Sequence, residues 1–277
     1  MSSLNAALRF VFDLLLAPAG AWPPIWPITI VSLLVGVGML MVFKRTSDQV
    51  RLARVKKLIT AGIFEIRLFN DDLVAILRAQ ADILRHNLSY LRLTIRPTLF
   101  VLLPLVLVMA QLQFHYGYEG LRPGQKTLLR VDLAPGTVPV GQRPEVRLDV
   151  PAGLRADTDA IWIPAESQVA WRLVAERDGD YQLGIAVGGA PPVEKSVRVT
   201  GRAVRLAPER VDSGFISQLL YPAEPPLPEG SPIRTIQLTY PDREVSVLGF
   251  GMYWMIPFFV LSLIFAFSLK GFFKVTI

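Results

Sequence analysis

Residues 44–96 constrain this chain more than any other stretch. They carry eleven Lys or Arg against five Asp or Glu, a balance of +6 (eleven minus five). Apolar runs close them in on both sides, at 27–43 and 97–114. Basic loops beside membrane spans stay in the cytoplasm. The expected topology follows from that rule. The N-terminus lies outside, 44–96 form a cytoplasmic helical hairpin, 115–247 lie outside, and the short tail 270–277 lies inside.

A third apolar run covers 248–269. The three runs are 17, 18 and 22 residues long, against the roughly 20 that cross a bilayer as a helix. They predict an α-helical membrane protein with three spans, and its expected address is a bacterial inner membrane. The net charge of +6 is accounted for by the hairpin. Residues 115–247 hold fifteen Lys or Arg and seventeen Asp or Glu. The basic excess therefore needs no nucleic acid, which is not an expected partner. The chain has no cysteine, which excludes disulfides and thiolate chemistry. Residues 2–21 resemble a leader, but Asp13 within the apolar run and the lack of a basic start argue against one.

Residues 4–16 read as an amphipathic helix. Asn5, Arg9 and Asp13 share one face, with Arg9 and Asp13 spaced to pair; Leu4, Leu8, Val11, Phe12, Leu15 and Leu16 cover the rest. Such a helix is expected in the membrane interface with its polar stripe toward water. A Pro-rich linker with Trp22 and Trp26 completes 1–26. In the hairpin, 46–61 are expected to continue the first span as helix, with Gly62 as its stop. Asn70-Asp71-Asp72 cap the second arm. Leu73, Leu77, Leu84, Leu88, Leu91 and Ile95 then form a coiled-coil-like seam, on an arm reaching roughly 37 Å. Facing seams predict that the two arms pack as an antiparallel pair. A solvated connector without a partner is the other reading. Pro97 is expected to open the second span, and Pro104 to kink it.

Residues 115–247 alternate in the manner of strands: Val131/Leu133, Val146/Leu148/Val150, Tyr181/Leu183/Ile185/Val187 and Val193/Val197/Val199. An all-β sandwich of immunoglobulin or fibronectin type is expected. Residues 169–175 and 181–187 are predicted to form a hairpin across Glu176–Asp180. Gly188-Gly189-Ala190-Pro191-Pro192 make the next turn. The Pro-rich segment 208–232 carries Phe215, Ile216, Leu219, Leu220 and Tyr221, either a patch for lipid or partner or a satellite core cluster.

No catalytic set emerges. The two histidines, His86 and His115, are expected on opposite sides of the membrane. His86 reads as a solvated helix residue, His115 as an interfacial one. Asp157 and Asp159 read as turn residues rather than a calcium loop. Gly188-Gly189 lacks the setting of a phosphate loop. No metal, cofactor or enzymatic activity is expected. The centres of the spans hold no ionisable residue, which argues against a pump or channel.

The order of parts resembles the core of the YidC/Oxa/Alb insertase superfamily. Residues 4–16 would match its amphipathic helix, 27–43, 97–114 and 248–269 its core spans, and 44–96 its cytoplasmic coiled-coil hairpin. The resemblance implies a part in inserting or assembling membrane proteins. The first run has only Thr29 and Ser32 as polar side chains, so no residue takes the place of that family's groove arginine. Expected partners are membrane lipids and other membrane proteins, either nascent clients or the fixed subunits of an energy-transducing complex. The candidate partner-binding residues are Leu73, Leu77, Leu84, Leu88, Arg78, Arg85, Phe215 and Leu219.

Overall fold

The computed structural model describes residues 2–69, 71–139 and 142–276. Among the described residues six α-helices are formed: α1 (Ser2–Leu16), α2 (Ile25–Thr46), α3 (Gln49–Leu68), α4 (Leu73–Tyr116), α5 (Phe215–Leu220) and α6 (Met255–Leu269). The chain divides into two compact units, one of residues 28–106 and 255–277, the other of 1–27 and 107–254.

α2 and α4, most of whose residues belong to the first unit, are long and apolar enough to cross a membrane. At 1.5 Å per residue they measure roughly 33 and 66 Å. The length of α4 corrects one expectation. Pro97 does not open a new helix; it lies inside a single 44-residue helix, as does Pro104. Each proline withholds one amide from the ladder, and the intact turns on either side carry the helix through.

A second correction concerns where the hairpin begins and bends. The helix of the first apolar run stops at Thr46. The Thr46 hydroxyl donates to the Val42 carbonyl, and Ser47 sends both its amide and its hydroxyl to that of Phe43. Asp48 then caps α3, its side chain accepting from the Arg51 amide at 3.0 Å. Gly62 does not end α3, which runs on to Leu68.

α6 is shorter than the third expected span. Its 15 residues cover roughly 22 Å, less than the roughly 30 Å hydrocarbon core. Residues 248–253 of the apolar run belong to a strand pair instead, described below. Within its own unit α6 packs parallel to α2. The Ser32 hydroxyl donates to the Phe258 carbonyl, and Lys44 reaches the Phe273 carbonyl at 2.8 Å. A β-carbon on Gly36 would lie 3.1 Å from the Ser262 carbonyl, so the two backbones approach closely there.

The second unit holds eleven strands among its described residues: β1 (Lys126–Leu133), β2 (Val146–Asp149), β3 (Leu154–Ala156), β4 (Ile161–Ile163), β5 (Gln168–Ala175), β6 (Gly179–Val187), β7 (Val193–Val199), β8 (Glu209–Val211), β9 (Ile233–Leu238), β10 (Glu244–Val247) and β11 (Phe250–Tyr253). One sheet runs β3-β5-β1-β9-β8, with β4 also on β5; a second runs β2-β6-β7. All pairings between these strands are antiparallel. Strand alternation explains the faces. Along β1, Thr127, Leu129, Val131 and Leu133 turn inward. Leu129, Val131 and Leu173 of one sheet share an apolar cluster with Leu183, Ile185, Val197 and Val199 of the other. Burying each contributes roughly 1.5–3 kcal/mol.

The expected hairpin of 169–187 is not formed. β5 pairs with β1, β3 and β4, whereas β6 pairs with β2 and β7. Residues 176–178 carry the chain from one sheet to the other. The Gly153 carbonyl accepts from both the Glu176 and Arg177 amides, so local turn chemistry serves a crossing rather than a reversal. The next expected turn does form, with Ile185 opposite Val193. β10 and β11 make a separate hairpin whose two-residue loop is Leu248-Gly249. Both loop residues have positive φ, 52° and 89°, as the primed turns of tight hairpins require.

Candidate functional site

The expected partner residues of 44–96 sit on the two arms α3 and α4. Asp72 caps α4, accepting from the Val74 and Ala75 amides at 2.9 and 3.1 Å; Asn70 of the expected capping cluster lies outside the described residues. The arms meet at small residues. Gly62 and Ala79 are buried, and a β-carbon on Gly62 would fall 2.6 Å from the Ile83 side chain. The covered stripe of α4 continues through Ile83, His86, Tyr90 and Leu93 to Pro97. His86 is therefore half-buried rather than fully solvated.

The leucine seam is elsewhere. Leu73, Leu77, Leu84 and Leu88 are 57–72% exposed. At 100° per residue Leu84 lies about 140° around the helix from Ala79. So α4 bears two stripes: the one through Ala79, Ile83, His86 and Tyr90 is covered, and the leucine stripe stays uncovered. The expectation that the leucines face the other arm is overturned. Arg78 and Arg85 flank the seam, both exposed, and among the described residues neither makes an ion pair. Phe64, Leu68 and Phe69, at the end of α3, are exposed as well.

In the other unit, the polar stripe of α1 is turned the opposite way from expectation. Asn5 is buried and donates to the Gln218 carbonyl at 2.6 Å. Arg9 donates to the Pro222 carbonyl. Asp13 does not pair with Arg9; it takes Arg205 at 2.9 Å and His115 at 3.2 Å. Arg205 is itself buried and also donates to the Gln111 amide oxygen at 2.9 Å. Each ring nitrogen of His115 thus faces an oxygen acceptor, the other being the Gln111 carbonyl at 3.1 Å. Phe10, Val11, Leu14 and Leu15 are left exposed. The polar stripe docks on protein because these buried donors and acceptors need partners; the side chain of Leu4 lies outside what the structure describes.

Burial alone would raise the Asp13 carboxyl, but the His115 hydrogen bond and the Arg205 charge outweigh it and hold the group below its ordinary range. A depressed carboxyl stabilises the fold above its unfolded pKa, near 4, and that contribution is lost as pH falls through the folded value. Acidification below about pH 4 is therefore expected to lower the protection of α1 amides, measured by exchange mass spectrometry relative to the intrinsic rate at each pH. Asp13→Asn should abolish that pH response; an unchanged response would show that this carboxylate does not hold the helix.

The patch expected over 215–221 divides. Phe215, Ile216 and Leu220 of α5 are exposed and Leu219 is half-buried. Tyr221 turns inward to a small cluster with Phe114, Ala207 and Ala223.

One buried group escaped the sequence reading. Lys195 stands on the inward parity of β7 between Val193 and Val197 and is 0% exposed. Its ammonium donates to the Ala207 carbonyl and the Glu224 carboxylate. Glu224 also accepts from the Ser196 amide and hydroxyl. Burial pushes the ammonium's pKa down, and Glu224 opposes that. The pair pins the Pro-rich segment to the sheet.

No family model, curated protein or solved structure matches this chain.

Proposed function

We propose that this chain is a non-enzymatic membrane protein that assists the insertion or assembly of other membrane proteins, with a three-span core of the YidC-like kind. The observation that carries this is the uncovered leucine seam of α4 with Arg78 and Arg85 beside it. An apolar stripe flanked by cations suits transient contact with the apolar segments of an unfinished membrane protein. The basic hairpin would lie in the cytoplasm and the β unit, read as an immunoglobulin- or fibronectin-like sandwich, in the periplasm of a bacterial inner membrane. The parallel run of α2 and α6 agrees with both crossing in the same direction.

A second reading, a fixed accessory subunit of a large membrane complex, is favoured by one observation. Only 6% of the most apolar window of α4 is buried, leaving a face that other helices would cover.

The lack of cysteine makes a clean test. Single cysteines are placed at Leu84 and Asp178. An impermeant thiol reagent is expected to label the second from outside and the first only after permeabilisation; the same labelling of both would overturn the topology. A photocrosslinker on Leu84→Cys is then expected to capture many short-lived, newly made products. One stoichiometric, long-lived adduct would establish the accessory-subunit reading instead.

A further inference from the structure

We infer that the cleft between α1 and residues 202–205 holds the phosphate of an anionic phospholipid headgroup. The cleft encloses about 550 Å³ and is lined by Asp13, His115, Arg198, Arg202 and Arg205 with the turn at 18–21. All of these belong to one compact unit. The Ala203 amide donates to the Gly20 carbonyl at 3.2 Å, which ties the two walls together.

Charge is concentrated here although 115–247 as a whole are slightly acidic. Asp13 is the one carboxylate in the described lining, and Arg205 and His115 already engage it. Arg198 is half-used, with one nitrogen on Asp180 at 3.4 Å and another on the Arg205 carbonyl. The Arg202 side chain is exposed and makes no ion pair or hydrogen bond among the described residues. Arg243 lies behind it, donating to the Arg202 carbonyl, and adds a further buried cation. The free Arg202 guanidinium, beside the half-used Arg198, suits a phosphate, for which the planar donor fork is well matched.

The source of the phosphate is set by what adjoins the cleft. Asp13 and Leu16 of α1 face into it, while Phe10, Leu14 and Leu15 of the same helix are uncovered. Trp22 and Trp26, just beyond the turn, are exposed too, as aromatic side chains at a membrane interface are. His115 directly follows an apolar run of membrane-crossing length. A headgroup in the cleft would leave its acyl chains along the apolar side of α1. Free phosphate would leave that surface uncovered.

The inference rests on the chain being a membrane protein, though not on its acting as an assembly factor. The test uses the full chain in nanodiscs of mixed phosphatidylglycerol and phosphatidylcholine, with bound lipid read by native mass spectrometry. Phosphatidylglycerol is expected to be retained preferentially. Arg202→Gln should weaken retention about five-fold, in line with one interfacial arginine, while Arg234→Gln, an exposed arginine elsewhere in the unit, should not. Equal retention of both lipids, or equal loss in both variants, would overturn the site. Displacement of the lipid by millimolar inorganic phosphate would overturn its assignment to a lipid. A chain that does not enter nanodiscs at all would overturn the membrane reading, whichever arginine is present.

Discussion

Replacing Lys195 with alanine is expected to destabilise the β-rich unit by about 3–5 kcal/mol. The substitution removes the cation from a fully buried pair and leaves Glu224, whose side chain is only 10% exposed, with a carboxylate charge in an apolar setting. The Ala207 carbonyl loses its donor as well. Two of the carboxylate's hydrogen bonds, from the Ser196 amide and hydroxyl, remain and soften the loss without neutralising the charge. The double variant Lys195→Met, Glu224→Gln is expected to recover most of the stability, because a shape-matched neutral pair avoids the cost of burying ions. Chemical unfolding followed by fluorescence of Trp171, a core residue of this unit, checks both. If the single variant unfolded at the same denaturant concentration as the parent, the pair would not hold the Pro-rich segment as described. A double variant no better than the single one would mean that packing of the lysine stem, rather than its charge, is what matters.

The second large effect is expected at Gly62. Leucine there would drive its side chain into Ile83, since even a β-carbon falls within 2.6 Å of it. Overpacking of this kind costs about 1–3 kcal/mol. The arms α3 and α4 should separate near that point, with faster amide exchange over both. Alanine should give a smaller effect, since the helix gains propensity while Ile83 must shift. By contrast, Leu84→Ser changes an exposed position and should move hairpin stability by no more than about 0.5 kcal/mol. A large loss for Leu84→Ser together with none for Gly62→Leu would reverse the assignment of the two stripes.

These two residues also show where sequence was readable and where it was not. Composition and alternation located the long helices, the caps at Asp72, the β-rich stretch and the turn after β6. Such features depend on near neighbours in the chain. The seam of α4 was also legible as apolar, but not which stripe meets the other arm. Leucine spacing points to the more regular stripe, whereas the closest approach of the arms lies at the small pair Gly62 and Ala79, on a stripe that also carries Ile83, His86 and Tyr90. Gly62 has two opposed uses, a helix stop or a close contact, and only its neighbour from the other arm distinguishes them. Residues 248–253 were absorbed into an apolar run because Phe250 and Tyr253 suit a strand as well as a span; the glycines at 249 and 251 were the available clue. The crossing after β5 was misread because a turn sequence says that the chain bends, not which strand it meets afterwards. Lys195 was missed for a related reason. Its strand is legible from the valines on either side of it, and the carboxylate that makes burial tolerable comes from 29 residues away. The Asp13 site was out of reach for the same reason, since its arginine lies 192 residues along the chain.

That last separation has a bearing on how the protein is made. α1 leaves the ribosome well before Arg205, Gln218 and Pro222, three of its polar anchors, each translated about 190 residues or more behind it, whereas His115 follows sooner. At synthesis rates of about 5–20 residues per second, the helix waits roughly 10–40 s for its seat. Until then Asn5 and Arg9 lack their protein acceptors, and Asp13 has His115 but not Arg205. Docking of the first helix is thus among the last steps of maturation, and a lesion in the distant 205–222 segment would leave the opening residues exposed to proteases.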